Sequence, residues 1–492
     1  MNMNAQTEKE RWTEQKLRDL FAGSADVVIQ TCRFGEQEIL EVVIVYAEGL
    51  CNSQEIGKTV FPELKKLHRL QGSFDDPLVK LSCSLPLKPF DGASSDQLAE
   101  AVFQGDLLLL FVKKNVLCSI DISDRPMRQP KESNTEISVK GPKDGFVEDI
   151  TVNIALIRKR LRDPSLHIEI TTIGRRTKTK VGLMYFHDIL DPAVLKEVRS
   201  RLGQLDVDGL FSIYQLEAAL TKPKFNILPL MDFTGRPDYA VSSLLAGRFV
   251  LIVDGLPMVL IAPATLSLIL KSPEDTHFNY TYVSFARVIR IIGLFLSIFL
   301  PAIWVALMAF HQDQVPFRIL ATVSVTRIGV PLSAPMEMFL LLMLLEIFRE
   351  AGIRLPNAIG QTLTSIGGLI IGDAAIRAGL VSPSVVVVGA ITAVSGVTLV
   401  NQSLSTQVSI LRLFFFILSA LLGMYGVILG MVLLLAYMSS LRSFGVGYLI
   451  PLSPIVVKDL VVSFLRVPWF MIKKRPGLLH TLDSDQMEEG RK

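Results

Sequence analysis

Twenty residues without a charge, IIGLFLSIFLPAIWVALMAF from Ile291 to Phe310, decide the fold of the second half of the chain. A helix rises about 1.5 Å per residue, so about 20 apolar residues cross the roughly 30 Å of hydrocarbon in a bilayer. The stretch therefore predicts a membrane-spanning helix. Pro301 lies in its middle and is expected to kink it, because the proline ring removes one backbone donor and crowds the preceding turn.

Two more spans are predicted further along the chain, in Ala378 to Leu411 and in Leu413 to Leu441, which are uncharged apart from the intervening Arg412. The polar connection NQSLSTQ links them. Two weaker candidates precede them. Ala334 to Phe348 carries two glutamates, and Leu355 to Gly372 is uncharged but interrupted by one proline and several glycines.

Basic residues on both flanks of this region predict its topology, since Lys and Arg are retained on the cytoplasmic side. Arg287 and Arg290 precede the first span, and the run Lys473, Lys474 and Arg475 follows the last one. The number of crossings should therefore be even, and four are favoured. One of the two weaker candidates would then enter the protein interior without crossing.

The composition supports this division and limits the possible functions. The chain has 492 residues, 50% hydrophobic and 20% charged, with a mean hydropathy of +0.42, which is too apolar for an ordinary water-soluble protein. A net charge of +3 does not indicate a nucleic-acid binder, and no nucleic acid is expected as a partner. The four scattered cysteines suggest neither a metal site nor a disulfide framework. The polar start of the chain has no signal peptide, so a cytoplasmic N-terminus is expected.

The first half mixes β-rich runs with helical stretches and predicts an α/β region of two subdomains. A polar linker at Asp124 to Asn134 separates them, and FVLIV and MVLIA around Asp254-Gly255 predict a hairpin rather than a membrane span. The fold class expected is an α/β two-subdomain cytoplasmic region followed by an all-α helical transmembrane domain. The predicted domains are an α/β subdomain at 1–130, a second α/β subdomain at 140–280, a helical membrane domain at 285–445 and a basic cytoplasmic tail at 446–492.

Catalytic signatures are absent: there is no GxxxxGK[ST], GxGxxG, GxSxG or HExxH. No enzyme, no cofactor and no metal are therefore expected. Glu148 and Asp149 resemble a catalytic pair, but acidic residues in the first turn of a helix are explained by its dipole. Two basic runs are interpreted as solvated faces, with phosphate or headgroup binding as the alternative. They comprise Arg158, Lys159, Arg160 and Arg162, and Arg175, Arg176, Lys178 and Lys180.

The Gly-rich segment places polar or small residues on one stripe of a helix. They are Gln361, Thr364, Ser365, Gly368, Gly372 and Ala375. In a membrane, such a stripe either lines a wet path or lets another helix approach closely, as the spacing of Gly368 and Gly372 allows. From the residues alone, both uses remain open. Leu369, which flanks the stripe, is the candidate for an apolar constriction.

Glu337 and Glu346 are the intramembrane acidic candidates, because carboxylates at membrane depth are costly. They lie nine residues apart and so point to opposite faces of a helix. Glu346 is spaced to pair with Arg349, whereas Glu337 has no basic neighbour at helical spacing. A structural role and a functional one remain open for each.

Three blocks in order carry a family resemblance: GPKDGFVEDITVNIALIRKRLRDP (141–164), GRPDYAVSSLLAGRFVLIVDGLPMVLIAP (235–263) and REAGIRLPNAIGQTLTSIGGLIIG (349–372). Together they resemble the A subunits of bacterial spore germinant receptors. The resemblance is close over Gly141 to Ser443 and covers the first 120 residues only in general layout.

This resemblance implies a protein of the spore inner membrane with a cytoplasmic N-terminal region of two subdomains. The basic flanks predict a multi-pass topology with the C-terminal tail on the same side. It also implies a transporter-like B subunit and a lipoprotein C subunit as partners, and self-association into a ring whose centre conducts cations. Under it, the pore-lining candidates are Gln361, Thr364, Ser365, Gly368, Leu369 and Gly372. The expected function is that of a ligand-gated cation channel that triggers germination.

Three alternatives remain at this point. The first is a ring-forming paralogue that amplifies germination without a germinant of its own. The second is a membrane transporter, although its usual internal repeat is not found in the sequence. The third is a structural scaffold, which ion flux in liposomes would distinguish from a channel.

Overall fold

The computed structural model describes residues 12–34, 40–69, 85–90, 94–114, 116–124, 136, 138–221, 226–353, 373–468, 471, 475, 477–483 and 485. The chain divides into two compact units. The sheet unit comprises Met1–Lys224, Met231–Pro263 and Ile472–Lys492, and the helical unit comprises Phe225–Leu230 and Ala264–Met471. The predicted order, an α/β region followed by a helical region, is confirmed.

The sheet unit begins with a five-stranded antiparallel sheet in the order β1-β2-β4-β5-β3. A helical turn at Ser53–Glu55 and a π-helical turn at Ile56–Val60 lead into the helix Phe61–Arg69, which is α2. The elements are α1 (Glu14–Leu20), β1 (Val27–Phe34), β2 (Leu40–Ala47), α2 (Phe61–Arg69), β3 (Lys88–Pro89), α3 (Ser95–Gln104), β4 (Asp106–Phe111) and β5 (Val116–Asp121).

Helices cover both faces of this first sheet, because successive residues of a strand point to opposite faces. Val43 of β2 packs into a cluster with Leu17 of α1 and Phe103 of α3. Its neighbour Ile44 packs into a second cluster, on the side of α2, with Leu64. The central strands β2, β4 and β5 are therefore buried on both sides, which explains their continuous rather than alternating hydrophobic sequence.

The second sheet of this unit is also antiparallel and five-stranded, in the order β6-β7-β9-β10-β8. The predicted hairpin around Asp254-Gly255 is confirmed as β9 and β10, and Gly255 takes the positive φ of 86° that the turn requires. The elements are α4 (Ile150–Arg158), β6 (Leu166–Ile173), β7 (Thr179–Phe186), α5 (Pro192–Gly203), α6 (Ile213–Leu220), β8 (Asp232–Thr234), α7 (Pro237–Leu245), β9 (Phe249–Val253) and β10 (Val259–Ala262). A short 3-10 helix, Gly477–Leu479, belongs to the same unit.

Arg158, at the end of α4, corrects one prediction. It was expected on a solvated face, but its side chain is 0% exposed and pairs with Asp26, with Nε 3.0 Å from Oδ2. Its Nη2 also donates to Ser24 Oγ, and the guanidinium lies 4.0 Å from the centre of the Phe103 ring. Lys159 and Arg162 of the same run are exposed. The prediction treated the run as one face, whereas a helix turns successive residues to different sides.

The helical unit follows, and a long helix forms its centre. Its elements are α8 (Leu266–Ile269), a 3-10 turn (Pro273–Thr276), α9 (Tyr280–Ala309), a 3-10 turn (Gln312–Gln314), α10 (Phe317–Thr326), α11 (Ala334–Ile353), α12 (Pro383–Val397), α13 (Gln402–Ser440), β11 (Arg442–Ser443), β12 (Val446–Gly447) and α14 (Val457–Phe464). Among the described residues, α9 and α13 are long and apolar enough to cross a membrane, by length and composition. α9 begins at Tyr280, well before the predicted span, and runs through Pro301.

α13 reverses direction at Gly423, whose φ of 61° and ψ of −144° are not helical. A Cβ on Gly430 would lie 2.7 Å from the Phe415 ring, although residues 415 and 430 of a straight helix would stand about 22 Å apart. The halves 402–422 and 424–440 therefore pack as an antiparallel hairpin. Leu413 to Leu441 is thus not one continuous helix, and the prediction of a single span there is wrong.

The helices of this unit run both parallel and antiparallel to α9. The Phe299 and Phe415 rings pack edge to face with their centres 4.6 Å apart, and Ser419 Oγ donates to the Ala302 carbonyl, so α9 and the first half of α13 run parallel. α12 runs antiparallel to α9, because a Cβ on Gly293 would meet Thr398 while one on Gly396 would meet Ser297. These close contacts at glycine let the helix backbones approach one another.

Candidate functional site

The six predicted pore-lining residues lie outside the described residues, in the range 354–372. They are Gln361, Thr364, Ser365, Gly368, Leu369 and Gly372, and the pore they would line stays a prediction. The flanks of this range are described. α11 ends at Ile353, and Ser382, just before α12, binds Glu337 in the first turn of α11. Ile353 and Ser382 therefore lie at opposite ends of α11.

Glu337 is completely enclosed, with 0% of its side chain exposed. Its Oε1 accepts two bonds from Arg327, at 3.1 Å from Nε and 3.0 Å from Nη2. Its Oε2 accepts the backbone N–H of Ser382 at 2.8 Å. The carboxylate thus joins the end of α10, the start of α11 and the start of α12, and both of its oxygens are already engaged.

Glu346 lies in a different environment, with 41% of its side chain exposed. Arg349 reaches it from the same helix at 3.3 Å, the pairing that the sequence spacing allowed. Arg412 of α13 reaches its other oxygen at 3.3 Å, and both arginines donate to Ser409 Oγ. This group ties α11 to the first half of α13.

The Glu337 carboxylate is better suited to holding helices together than to binding a passing ion. A buried carboxylate that accepts an arginine and a backbone N–H has little remaining capacity to coordinate a cation. Glu337 holds the described residues on both sides of 354–372, and Glu346 fixes the other end of α11. Together they form a frame that links α10, α11, α12 and the first half of α13.

Three partners in this frame were missed by sequence reasoning. Arg327 precedes Glu337 by ten residues, Ser382 follows it by 45, and Arg412 lies 66 residues after Glu346. Spacing rules reach only three or four residues along a helix. The available signal was Arg412 itself, because an isolated charge in a long apolar stretch needs a partner inside the protein.

The acidic pair Glu148 and Asp149 lies just before α4 and not in its first turn, where it was expected, because the helix begins at Ile150. Asp149 is the N-cap of α4, where its side chain accepts the N–H groups of Thr151 and Val152. Such a cap satisfies donors that have no partner inside the helix. Within the described part of the chain, no group of three or more His, Cys, Asp or Glu side chains is placed to hold a metal ion.

Asp232 in β8 is the acidic group of the sheet unit whose protonation is most strongly altered. Burial raises its pKa to about 7, the charge of Glu136 adds to this effect, and the hydrogen bond from the Tyr239 hydroxyl at 3.0 Å opposes it. The folded sheet unit therefore holds a proton here at pH values where the unfolded chain, with an aspartate pKa of about 3.9, has lost it.

The free energy of unfolding of the sheet unit should therefore fall as pH rises from about 4 to about 8, by on the order of 4 kcal/mol from this group. The direction of this change follows from the raised pKa of Asp232. Its stabilising effect is complete at pH values below the pKa of the unfolded chain and is lost at pH values above the pKa of the folded protein. Urea unfolding across this pH range measures it. Asp232→Asn should flatten the profile, and the exposed control Asp206→Asn should not. An unchanged slope in Asp232→Asn would contradict the assignment.

An α/β sheet unit followed by a helical unit with membrane-length helices and buried ion pairs is the organisation of a membrane-associated protein. The model of the family described as Bacillus/Clostridium GerA spore germination protein matches residues 15–478. The chain belongs to this family.

Relatives match along nearly the whole chain. Spore germination protein XA of Bacillus anthracis is 40% identical over 96% of both chains. Spore germination protein KA of Bacillus subtilis (strain 168) is 34% identical over 92% of this chain and 83% of its own. The crystal structure of the N-terminal domain of the A subunit of the Bacillus megaterium spore germinant receptor GerK3 aligns over 51% of this chain and 93% of its own, with 29% identity and a TM-score of 0.38.

Proposed function

We propose that the chain is the A subunit of a spore germinant receptor and forms an oligomeric, ligand-gated cation channel in the spore inner membrane. The family supports the role in germination. The predicted stripe of polar and small residues supports the conducting path, and the Glu337 and Glu346 contacts supply rigid helices on both sides of it. In this proposal the stripes of several copies meet at the centre of a ring.

The observation that carries the proposal is the unpartnered apolar surface of the helical unit. On α12, Val387, Ile391 and Val394 follow one another at helical spacing and are each at least 43% exposed. The second half of α13 exposes Ile428 and Leu435 in the same way. Apolar surface of this extent needs cover, and the two available covers are lipid and another copy of the chain.

The partners we propose are a transporter-like B subunit and a lipoprotein C subunit, with ligand sensing assigned to the B subunit. The resemblance to germinant receptor A subunits supports this assembly. Cation flow through the ring, and not a chemical reaction, would then carry the germination signal.

The opposite directions of α9 and the second half of α13 support an even number of passes. α9 and the first half of α13 run one way, whereas α11, α12 and the second half of α13 run the other way. Because the second half of α13 runs opposite to α9, it ends on the side where α9 begins, which supports the even number of passes that the sequence predicts. The N-terminal region and the C-terminal tail then share the cytoplasmic side.

Cysteine labelling tests this topology in a variant that lacks the native cysteines. Ser133→Cys and Ser484→Cys should resist an impermeant reagent added outside spheroplasts. Position 133 precedes the membrane helices and position 484 follows them, so an even number of passes places both on the cytoplasmic side. Gln314→Cys, between α9 and α10, should react from outside and serves as the positive control. Outside labelling at position 133 or 484 would refute the even number.

The pore itself is tested at Gly368 and Leu369. If the stripe faces water, Gly368→Leu should leave the oligomer intact and reduce conductance, because the larger side chain narrows the path. Leu369→Ala should weaken the constriction and leak cations without germinant. Gel filtration of the protein in detergent and ion flux in liposomes measure both effects.

The matched control is Leu363→Ala, an equal truncation on the side of the helix opposite the stripe. It should leave resting conductance unchanged. If the stripe is instead a packing face, Gly368→Leu should prevent assembly, because a close helix contact cannot accept about four extra carbons without strain. Loss of the oligomer, combined with a silent Leu369→Ala, would remove the support for the pore.

A further inference from the structure

Three arginines surround one carboxylate at the start of α9. Asp275, in the 3-10 turn before this helix, accepts Arg287 Nε at 2.9 Å on Oδ2, and Arg290 Nη2 at 2.8 Å on Oδ1. Arg466, just after α14, donates to the backbone carbonyls of Asp275 and Thr276. Within this cluster, defined as these three arginines and Asp275, the formal charges sum to +2.

The excess charge is held in a partly enclosed place. Arg287 and Asp275 are buried, and burial together with the neighbouring Arg287 lowers the pKa of Arg466. Although burial alone would raise the pKa of Asp275, Arg290 and Arg287 hold it below its usual range. Asp275 therefore stays ionised, and still the positive charges outnumber it. Positive charge gathered at low exposure is costly unless an anion balances it.

A small cavity opens beside the cluster. Its lining includes Ser267, Lys271, Arg287 and Ser463. Its enclosed part is only about 10 Å³, room for one water molecule. An anionic group would therefore lie at the mouth and not inside, near the side chains of Ser267, Lys271 and Ser463 that line the cavity. Arg287 would act there by its charge, because its Nε binds Asp275 and its Nη1 binds the Ser463 and Leu465 carbonyls.

The surroundings of the cluster are those of a bilayer surface. Ser284 Oγ, in the second turn of α9, donates to the Arg466 carbonyl, which places the end of α14 alongside the first turns of α9. Tyr282 and Phe285 are 58% and 63% exposed there, and Val461 and Val462 of α14 are also exposed. Exposed aromatic rings next to an amphipathic helix and basic residues are typical of the interface between lipid and water.

We propose that this cluster binds the phosphate headgroup of an anionic phospholipid in the leaflet at the N-terminal end of α9. The arginines supply the charge, the cavity mouth supplies the donors, and the exposed faces of α9 and α14 accept the acyl chains. The site rests on the proposed membrane embedding of the helical unit but not on channel activity. A protein that fails to enter a bilayer would refute the embedding, whereas one that enters without lipid preference would refute only this site.

The test uses the full chain in nanodiscs and in detergent, with phosphatidylglycerol and phosphatidylcholine as the probes. Native mass spectrometry of the bound lipid should show a preference for phosphatidylglycerol. Arg466→Gln should lower this preference about fivefold, because one basic residue near an anionic surface contributes about 1 kcal/mol to the binding of an anionic lipid. Arg466→Lys keeps the charge and should keep most of the preference. If Arg466→Gln does not fold, Lys271→Gln at the cavity mouth replaces it.

The matched control is Arg318→Gln, which removes one exposed positive charge from α10 at the other end of α9. It should leave the preference unchanged. If a folded Arg466→Gln variant and the wild type bind phosphatidylglycerol and phosphatidylcholine in the same ratio, the proposal is overturned, and a protein partner becomes the alternative ligand of the cluster. Thermal stabilisation by inorganic phosphate equal to that by phosphatidylglycerol would assign the site to a soluble anion instead.

Discussion

Arg158→Met should destabilise the sheet unit by about 3–5 kcal/mol, because it leaves the buried carboxylate of Asp26 without its partner. Arg158 also donates to Ser24 and to the Asp163 carbonyl, and these acceptors would be left unsatisfied as well. The measurement is urea unfolding, followed by circular dichroism, of residues 1–279 expressed alone. That fragment is expected to fold because it carries nearly all elements of both sheets.

The control is an arginine pair in the same unit that faces water. Arg175 and Asp206 form an ion pair with side chains 69% and 66% exposed, so Arg175→Met should change the free energy of unfolding by less than about 1 kcal/mol. The double variant Arg158→Met with Asp26→Leu should recover much of the loss, since no buried charge then lacks a partner. Equal costs for Arg158→Met and Arg175→Met would show that burial does not govern the effect.

The position of Asp26 also explains why Arg158 matters to the arrangement of the two sheets. The Ala25 N–H donates to the Ile168 carbonyl of β6, and Ile168 N donates to the Gly23 carbonyl. The segment before β1 therefore lies against the second sheet. The ion pair between Asp26 and Arg158 connects this segment to the end of α4. A loss at Arg158 should accordingly weaken the contact between the sheets as well as α4 itself.

Local elements of this fold were predictable because their signals are local. The hairpin of β9 and β10 follows from two β-rich runs around Asp254-Gly255, and the N-cap of α4 follows from Asp149 ahead of an apolar run. Arg158 belonged to the same run of sequence and was misplaced. Its partner Asp26 lies 132 residues earlier, and nothing in the local pattern distinguishes a buried arginine from its solvated neighbours.

The helical unit shows the same limit at larger scale. Composition located its apolar helices but not the reversal at Gly423, because a glycine within a long apolar run is compatible with either a straight helix or a tight turn. The Leu418 carbonyl would lie 2.3 Å from a Cβ on Gly426, a contact between backbones that no hydropathy scale records. The partners of Glu337 were missed for a related reason, since they come from two other helices.

Glu337→Ala should be the most damaging change in the helical unit. It removes the only charge opposite Arg327 that the described contacts show and leaves the Ser382 N–H without an acceptor, at a cost of about 3–5 kcal/mol. For a unit of this size, the midpoint of thermal unfolding should fall by roughly 10 °C. Trp304 packs against the Ala334 end of α11, so its fluorescence in the detergent-solubilised protein reports on this place once the other tryptophans are replaced by phenylalanine.

Glu346→Ala is the comparison on the same helix: its carboxylate is 41% exposed, so its loss should cost less than the loss of Glu337, although Arg412 then lacks its carboxylate partner. The double variant Glu337→Leu with Arg327→Met should be more stable than Glu337→Ala, since it buries no unpaired charge. A role for Glu337 as an ion ligand predicts the reverse pattern. In that case Glu337→Gln would keep the wild-type unfolding midpoint and alter cation selectivity in liposomes, and the assignment of Glu337 as a structural link between α10, α11 and α12 would be wrong.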